Sequence, residues 1–269
     1  MDIGRQFQTV ARSATLFLLL FLPVLWLCPP AESQETVHPR TGQLFLSVVD
    51  LAIPSGPVAI EIRRTLLPGA SLPGPFGTHW GLNLNKILIR TDKGVMISED
   101  SGPVLFSKKA LSAIYASAAG DELTFEKDGR AVRRLLDGSR EVYSAAGNLS
   151  ELDFRNGNRF FFTYGSAARL ERIEDGRGNL VRFTADQQGR LVRIDGSDGS
   201  STTYRYAGQL LAEVQVNGGP SVRYGYDGDG RLVRVDDPQT GTITITYDAR
   251  GRVVGRAWAD GSRESCEYS

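Results

Sequence analysis

The sequence predicts an all-β protein in which a small β domain precedes antiparallel β-hairpin repeats that form one coiling sheet. Three observations support this fold class. Aromatic residues recur at steps of about 21 residues in the second half of the chain, and apolar residues alternate with polar ones in the first half. Turn-forming residues (30 Gly and 12 Pro) are spread along the chain. Helical periodicity is absent, apart from a short, Ser-rich stretch at 110–119.

Residues 1–33 have the pattern of an export signal. Arg5 and Arg12 supply a basic start, residues 14–27 form an uncharged apolar run, and Ala31-Glu32-Ser33 places small residues before Gln34. This run is shorter than the roughly 20 apolar residues of a membrane-spanning helix. We therefore expect cleavage before Gln34 and a secreted, periplasmic or cell-surface protein, with an uncleaved N-terminal membrane anchor as the alternative.

Charge and cysteine content limit the function classes. The 31 basic residues balance the 31 acidic ones, so no electrostatic footprint for nucleic acid is present at the whole-chain level. After the predicted cleavage Cys266 would be the one remaining cysteine, and no disulfide could form within the chain. Stability must then come from strand pairing and core packing.

Residues 34–120 are predicted to form a β-rich domain before the repeats. Two segments alternate apolar and polar residues as half-buried strands do. Asp92-Lys93-Gly94 lies between two strand-like segments and predicts a hairpin, and residues 68–77 form a loop rich in Gly and Pro. The alternating apolar positions are Leu44, Leu46 and Val48 in one segment and Val58, Ile60 and Ile62 in the other.

Residues 121–269 are predicted to form a repeat array. The repeat is aligned on one aromatic position, and the successive spacings are 18, 21, 21, 21, 20, 21 and 21 residues. One copy has alanine in place of the aromatic residue. The aligned positions are Phe125, Tyr143, Tyr164, Ala185, Tyr206, Tyr226, Tyr247 and Tyr268.

Each repeat unit has a turn with a physical explanation. In an Asp-x-x-Gly turn the Asp side chain accepts backbone N–H groups and Gly tolerates a positive φ. An aromatic residue ends the strand before the turn, and an apolar residue after Gly-Arg starts the next strand. The predicted repeat turn positions are Asp128, Gly129, Asp186, Gly189, Asp227, Gly230, Asp248 and Gly251.

A second turn follows about ten residues later, so each repeat is predicted to be one β-hairpin. A single hairpin is marginally stable in water, whereas hairpins paired edge to edge bury their apolar faces and satisfy their open edges. The alternative, an ordinary β-sandwich with coincidental turn spacing, does not account for the regular step.

The unit Tyr-Asp-x-x-Gly-Arg-Leu/Val resembles the YD repeats of RHS and teneurin-like proteins. The preceding segment, with His38-Pro39-Arg40-Thr41-Gly42, Arg63-Arg64 and Gly74-Pro75-Phe76-Gly77-Thr78-His79-Trp80, is similar to the DUF6531-type domain that precedes the repeats in many bacterial RHS proteins. The resemblance covers about residues 36–269. It implies a hollow β-sheet shell, with the preceding domain at one end and an enclosed C-terminal toxin.

The sequence ends on Tyr268-Ser269, the opening aromatic position of a further unit. We therefore expect either the front part of a longer, split or truncated gene, or a short relative that uses the same sheet differently. The number of units suggests a curved sheet rather than a closed shell.

Sequence motifs for catalysis are weak. The two histidines, His38 and His79, are interpreted as structural, and no nucleophile elbow is present. Asp227-Gly228-Asp229-Gly230 fails the pattern of a calcium loop because Arg231 and Leu232 occupy its fifth and sixth positions. We expect no enzymatic activity, no cofactor and no metal site.

The resulting functional hypothesis is a secreted shell segment of an RHS-type toxin or cell-surface system that encloses or scaffolds an effector. The expected partners are further RHS repeats or a C-terminal effector encoded downstream or separately. The alternative is an extracellular module that binds carbohydrate, a cell surface or a protein partner through stacked aromatic faces. The candidate ligand-facing aromatics are Tyr204, Tyr206, Tyr224, Tyr226 and Tyr247, although tyrosines in the repeat register are also expected to fill the core between hairpins.

Overall fold

A computed structural model describes residues 33–67, 69, 73–99 and 102–268. The predicted export signal lies outside the described residues, apart from Ser33, which begins the first strand. Of the predicted loop at 68–77, residues 69 and 73–77 are described. In the described part of the chain, no helix has the length and apolar character needed to span a membrane.

The first sheet has four antiparallel strands in the order of the sequence: β1 (Ser33–Val37), β2 (Leu44–Ser55), β3 (Val58–Leu66) and β4 (Trp80–Leu82). The predicted alternation is confirmed, because Leu44, Leu46, Ile60 and Ile62 are buried while their neighbours are more exposed. Val58 is the one predicted inward residue of β3 that is only half-buried.

The second sheet contains all the later strands of the described chain, and each pairs antiparallel with the next one in sequence. The hairpin predicted at Asp92-Lys93-Gly94 joins its first two strands. The all-β prediction is confirmed; a single 3-10 turn at Ser166–Ala168 lies between two strands. The strands are β5 (Ile87–Thr91), β6 (Gly94–Ser98), β7 (Val104–Lys108), β8 (Tyr115–Ser117), β9 (Glu122–Phe125), β10 (Ala131–Arg134), β11 (Arg140–Tyr143), β12 (Leu149–Asp153), β13 (Arg159–Tyr164), β14 (Leu170–Glu174), β15 (Leu180–Ala185), β16 (Leu191–Gly196), β17 (Ser201–Ala207), β18 (Leu210–Val216), β19 (Ser221–Tyr226), β20 (Leu232–Asp237), β21 (Gly241–Tyr247), β22 (Val253–Trp258) and β23 (Arg263–Ser265).

The 21-residue repeat is visible in the strand register. A β-bulge lies directly before the aligned aromatic position in successive hairpins, for example between Thr163 and Tyr164 and between Thr246 and Tyr247. The same bulge lies between Thr184 and Ala185, so the copy without an aromatic residue keeps the register. Each repeat is therefore one hairpin joined edge to edge to the next, as the spacing predicts.

The long sheet curls back on itself near its start. Leu88 of β5 donates its N–H to the carbonyl of Gly147, 2.8 Å away, in the turn between β11 and β12. Gly147 has a φ of 91°, and a Cβ at this position would lie 2.3 Å from the Leu88 carbonyl oxygen. A glycine is required at this closure because no side chain would fit.

Strands β5–β8 belong to the long sheet although they precede residue 121. The predicted domain at 34–120 thus supplies the whole four-stranded sheet and also the first four strands of the long one. Residue 121 marks the start of the repeat pattern in the sequence. The chain passes from the four-stranded sheet to the long sheet earlier, between Leu82 and Ile87.

One face of the long sheet wraps around the four-stranded sheet, and the described residues form one compact unit. Strand β2 contacts β16 and β17, and Ile53 lies against Gly196. Side chains of the small sheet also reach β19 and β22. Apolar residues of both sheets share a single core, in which Phe76, Trp80, Ile173, Val181, Ile194, Leu211, Val214 and Val253 are nearly inaccessible to solvent.

Candidate functional site

The repeat turns are held by a recurring bond between an aspartate and an arginine four residues later. Asp186 accepts the backbone N–H of Arg190 at 2.9 Å through Oδ1, and the Arg190 Nε donates to Oδ2 at 2.8 Å. Asp227 with Arg231 and Asp248 with Arg252 repeat both bonds at the same positions. The glycine between them has a φ of 75–87° in these copies.

These hydrogen bonds shift the acidity of the turn carboxyls. Partial burial alone would raise the pKa of Asp186, but the side-chain and backbone hydrogen bonds from Arg190 lower it below its usual value. The backbone N–H of Arg252 likewise lowers the pKa of Asp248. The ionised carboxylate is therefore the form that holds the turn together.

Each of these arginines also reaches forward to the tyrosine of the following repeat. The guanidinium carbon of Arg190 lies 4.5 Å from the ring centre of Tyr206. Arg252 lies 4.7 Å from the ring centre of Tyr268 in the same way. Such cation–π contacts connect one hairpin to the next.

The tyrosine hydroxyl completes the connection. Tyr206 donates its hydroxyl to the carbonyl of Leu191 at 2.6 Å, and Tyr247 donates to Leu232 at 2.8 Å. Tyr226 and Tyr268 make the equivalent bonds to Leu211 and Val253. The residues that define the Tyr-Asp-x-x-Gly-Arg-Leu unit are thus those that bind adjacent hairpins together.

The first predicted turn differs from the others. Asp128 is not equivalent to Asp186, because Glu126 occupies the first position of that turn and Asp128 the third. Asp128 accepts the N–H of Arg130, two residues later, at 3.1 Å. The predicted glycine of this turn, Gly129, has the expected positive φ of 88°.

The 20-residue step between Tyr206 and Tyr226 marks the place where the segment before the repeats attaches. The turn there is short, and Leu210 replaces the arginine. Thr78 donates its N–H to the carbonyl of Gln209 at 2.8 Å. A Cβ at Gly77 would lie 2.3 Å from the same oxygen. The 20-residue step therefore coincides with the turn to which the segment around Thr78 binds.

A buried ion pair within the four-stranded sheet binds two tyrosines of the long sheet. The Nε of Arg64 lies 2.8 Å from Oδ1 and 2.9 Å from Oδ2 of Asp50, and both side chains are almost fully inaccessible to solvent. Arg64 Nη2 donates to the Tyr224 hydroxyl at 2.7 Å, and the Tyr204 hydroxyl donates to Asp50 at 2.9 Å. We call Asp50, Arg64, Tyr204 and Tyr224 the junction.

Aromatic rings surround the junction. The Arg64 guanidinium lies 4.9 Å from the Trp80 ring centre and 5.0 Å from that of Tyr224. Trp80 Nε1 in turn donates to the Tyr226 hydroxyl at 2.9 Å. Burial raises the pKa of Tyr204 and of Tyr224, so both hydroxyls stay protonated; that of Tyr204 donates to Asp50 and that of Tyr224 accepts from Arg64.

The positions of the tyrosines correct the expectation of a ligand-facing aromatic ladder. Tyr204 and Tyr224 are buried, with exposures of 3% and 7%, and their hydroxyls bind Asp50 and Arg64. Tyr206, Tyr226 and Tyr247 are half-buried, and each hydroxyl donates to a carbonyl of the preceding repeat. These five tyrosines serve packing between hairpins and between sheets.

A second charged cluster lies in the curled part of the long sheet. Arg133 binds Asp121 at 2.6 Å, Glu141 at 3.1 Å and also Glu99. Lys86 binds Glu141 at 2.5 Å, and the Tyr143 hydroxyl donates to Glu141 at 2.7 Å. These groups come from β10, β11 and the ends of β5, β6 and β9, so the cluster fastens the curl.

The histidines and the cysteine lie apart from both clusters. His38 Nδ1 accepts the backbone N–H groups of Arg40 and Thr41 at 3.3 and 3.1 Å and so shapes a turn. His79, with a φ of 71°, lines a cavity of about 410 Å³ between the loops of the small sheet and the repeat turns. Cys266 is a free thiol just after β23.

Sequence patterns contain a signal for the junction that the predictions did not use. The inward alternation Leu44, Leu46, Val48 continues to Asp50, and Ile60, Ile62 continues to Arg64. A charged residue in line with each apolar series, on two strands that pair, indicates a buried ion pair. The partners Tyr204 and Tyr224 lie about 140 to 170 residues away and have no such signal.

Comparison with protein families gives two matches. The family described as domain of unknown function DUF6531 matches residues 34–106, and the RHS repeat matches residues 226–263. The chain thus contains a DUF6531 domain and an RHS repeat. The DUF6531 match contains β2 and β3, and with them Asp50 and Arg64, whereas Tyr204 and Tyr224 lie before the residues that match the RHS repeat.

Solved structures with similar features include toxin complexes. This chain is 14% identical to a chain of the TcdB2-TccC3-Cdc42 crystal structure, with a TM-score of 0.36, covering 80% of this chain and 12% of that chain. For the Photorhabdus luminescens Tc holotoxin pore the values are 14%, 0.40, 84% and 14%. The N-terminal domain of effector protein SpvB from Salmonella typhimurium strain LT2 is 11% identical, with a TM-score of 0.30, covering 81% and 99%. Comparison with curated proteins gives no match.

Proposed function

We propose that this RHS-repeat chain is a structural segment of a secreted RHS-type toxin system, and that its curved sheet encloses or scaffolds an effector. The observation that carries the proposal is the junction, which fixes the DUF6531 sheet against the wrapping face of the repeats. A β-sheet shell that excludes solvent requires contacts that hold its sheets in fixed relative positions. The signature residues of each repeat are likewise used to bind the next hairpin.

The proposal includes the absence of catalysis by this chain. Asp50 and Arg64, two buried ionisable groups of the described chain, neutralise each other and bind tyrosine hydroxyls. Buried ion pairs of this kind fix the relative position of two elements. We therefore assign Asp50 and Arg64 a role in holding the two sheets together rather than in catalysis.

The proposed partners are further RHS repeats or an effector encoded downstream or separately. The test is limited proteolysis of the protein expressed from its natural gene together with the coding sequence that follows it. Mass spectrometry then identifies the fragments that survive. We expect a polypeptide other than the repeats to be protected, and to become cleavable in Arg64→Met, which loosens the junction.

The matched control is Arg193→Ala, which removes a solvent-exposed ion pair with Asp195 on the long sheet. Protection should be unchanged in this variant. The proposal is wrong if no additional polypeptide is protected, or if a protected polypeptide is equally resistant in the wild type and in Arg64→Met.

We also propose export with removal of residues 1–33. Strand β1 pairs with β2 from Ser33 onward, so a mature protein starting at Gln34 keeps residues 34–37 of that strand. N-terminal sequencing of the exported protein should give Gln34 as the first residue. An exported protein that still starts at Met1 would support the membrane anchor instead.

A further inference from the structure

One repeat copy, which starts at Tyr164, lacks the aspartate and the glycine of the unit. Its turn has Gly165 in place of aspartate and Ala168 in place of glycine, and the next aromatic position is Ala185. Ala167 and Ala168 have φ values of 56° and 53°, a region that alanine rarely adopts. Strained backbone of this kind is often kept where it serves a function.

The arginine of this copy is nevertheless present. Arg169 occupies the position of Arg190, Arg231 and Arg252 in the other copies, and its guanidinium lies beside Gly189, the turn glycine of the following repeat. Arg190 reaches the following turn in the same way and donates to the Gly208 carbonyl. Within the described residues, the Arg169 side chain makes no hydrogen bond or ion pair.

A cavity of about 400 Å³ opens beside Arg169, with Leu170, Phe183 and Ala185 in its lining. In each complete copy the tyrosine sixteen residues after the arginine has its ring against the guanidinium. Its hydroxyl donates to the carbonyl of the residue after that arginine. Ala185 is sixteen residues after Arg169, so this cavity is the place of the missing tyrosine.

We propose that this cavity binds an aromatic ring that carries a hydroxyl group, namely a tyrosine side chain presented by another polypeptide. The ring lies against the Arg169 guanidinium, and the hydroxyl donates to the Leu170 carbonyl. In three other copies of the same chain, the equivalent backbone and the equivalent arginine bind a tyrosine. The incoming side chain completes the repeat in the way the chain's own tyrosines do.

The test measures binding of p-cresol and of N-acetyl-tyrosinamide to the full chain by calorimetry and by ligand-observed NMR. We expect one site for both probes. 4-Methylcyclohexanol, which has the hydroxyl but no aromatic ring, and p-xylene, which has the ring but no hydroxyl, should both bind more weakly. Arg169→Ala should weaken p-cresol binding about tenfold, because it removes the cation–π contact.

Two variants at the aromatic position control the assignment. Ala185→Tyr fills the cavity from within the chain and should abolish p-cresol binding while raising the thermal unfolding midpoint. Tyr268→Ala empties the equivalent place beside Arg252, close to the end of the described chain, and should add a second p-cresol site. This gain of binding remains informative if Ala185→Tyr fails to fold.

The proposal is overturned if p-cresol does not bind, or if it binds equally well to the wild type and to Ala185→Tyr. Binding of p-cresol without any binding of N-acetyl-tyrosinamide would overturn tyrosine as the occupant.

Discussion

At the scale of single residues, the junction shows why a buried charge can be retained between two sheets. Removing Arg64 or Asp50 from water is costly, and the pair offsets this through two short Nε–carboxylate contacts and two tyrosine hydroxyls. Arg64 Nη1 has no hydrogen-bond partner among the described residues. The pair therefore contributes mainly to the specificity of docking, since an apolar contact would tolerate sliding of one sheet over the other.

The junction predicts a distinct pattern of mutational effects. Arg64→Met should lower the free energy of unfolding by about 3–5 kcal/mol, because it leaves the Asp50 carboxylate buried without its partner. The double variant Asp50→Leu with Arg64→Met should be far less destabilised, since no charge remains buried. Urea denaturation of the four proteins in this double-mutant cycle measures the difference. Equal destabilisation of the single and double variants would contradict the assignment.

The repeat carboxylates predict an acid dependence of stability. The pKa values of Asp186, Asp227 and Asp248 are lower in the folded protein than in the unfolded chain, where an aspartate has a pKa of about 3.9. Their contribution is therefore complete above pH 4 and is lost as the pH falls through the lowered folded values. Because these groups lie near the surface, the effect of each is small.

Urea unfolding midpoints recorded from pH 7 to pH 2.5 test this dependence. The wild type should lose stability on acidification more steeply than a triple variant in which all three aspartates are replaced by asparagine. Identical slopes would mean that these carboxylates do not act through the hydrogen bonds described.

At the scale of elements, the hairpin repeat follows from local chemistry and was predictable. Tyr-Asp-x-x-Gly-Arg-Leu/Val specifies a strand end, a turn and a strand start within seven consecutive residues, so the whole pattern can be read from neighbouring positions of the sequence. The DUF6531 strands were predictable from alternation for the same reason. The arginine that links Asp248 to Tyr268 was not assigned, because its second contact is with the following repeat.

The contacts that position elements were the unpredictable part. Thr78 binds Gln209, and Leu88 binds Gly147, through backbone groups that carry no residue-type signal. The assignment of Tyr204 and Tyr224 as ligand-facing failed because alternation indicates two faces of a strand without identifying the covered one. Only the wrapping of one sheet around the other decides this.

The closure of the curl at Gly147 predicts a difference between two turn glycines. Gly147 and Gly157 have similar φ values, 91° and 85°, but a Cβ on Gly147 would meet the Leu88 carbonyl oxygen, whereas a Cβ on Gly157 would meet nothing within 4 Å. Gly157→Ala should cost only the backbone strain, roughly 1–2 kcal/mol. Gly147→Ala should cost more and release the Leu88 amide.

Thermal unfolding and hydrogen exchange of both variants measure these effects. The expected result is faster exchange of the Leu88 amide in Gly147→Ala and wild-type exchange of that amide in Gly157→Ala. Equal stability and equal exchange in the two variants would show that the curl is not closed at this point.

At the scale of the whole molecule, the two sheets belong to one compact unit. The four-stranded sheet has one face against β16 and β17, and its side chains reach β19 and β22. The ion pair between Glu35 and Arg256, 2.9 Å apart, extends the attachment from β1 to β22. Loss of the junction should therefore loosen the DUF6531 sheet as a body and expose the covered face of the repeats.

Hydrogen exchange of the full chain tests most directly whether the DUF6531 sheet is fastened against the repeats. Because the DUF6531 sheet is held against the repeats, amides of β2 and β3 should exchange as slowly as those of β16 to β20 in the wild type. In Arg64→Met, the amides of β2 and β3 should exchange faster together, while β10 and β11 keep wild-type protection. Rapid exchange of β2 and β3 in the wild type, beside fully protected repeats, would contradict the account.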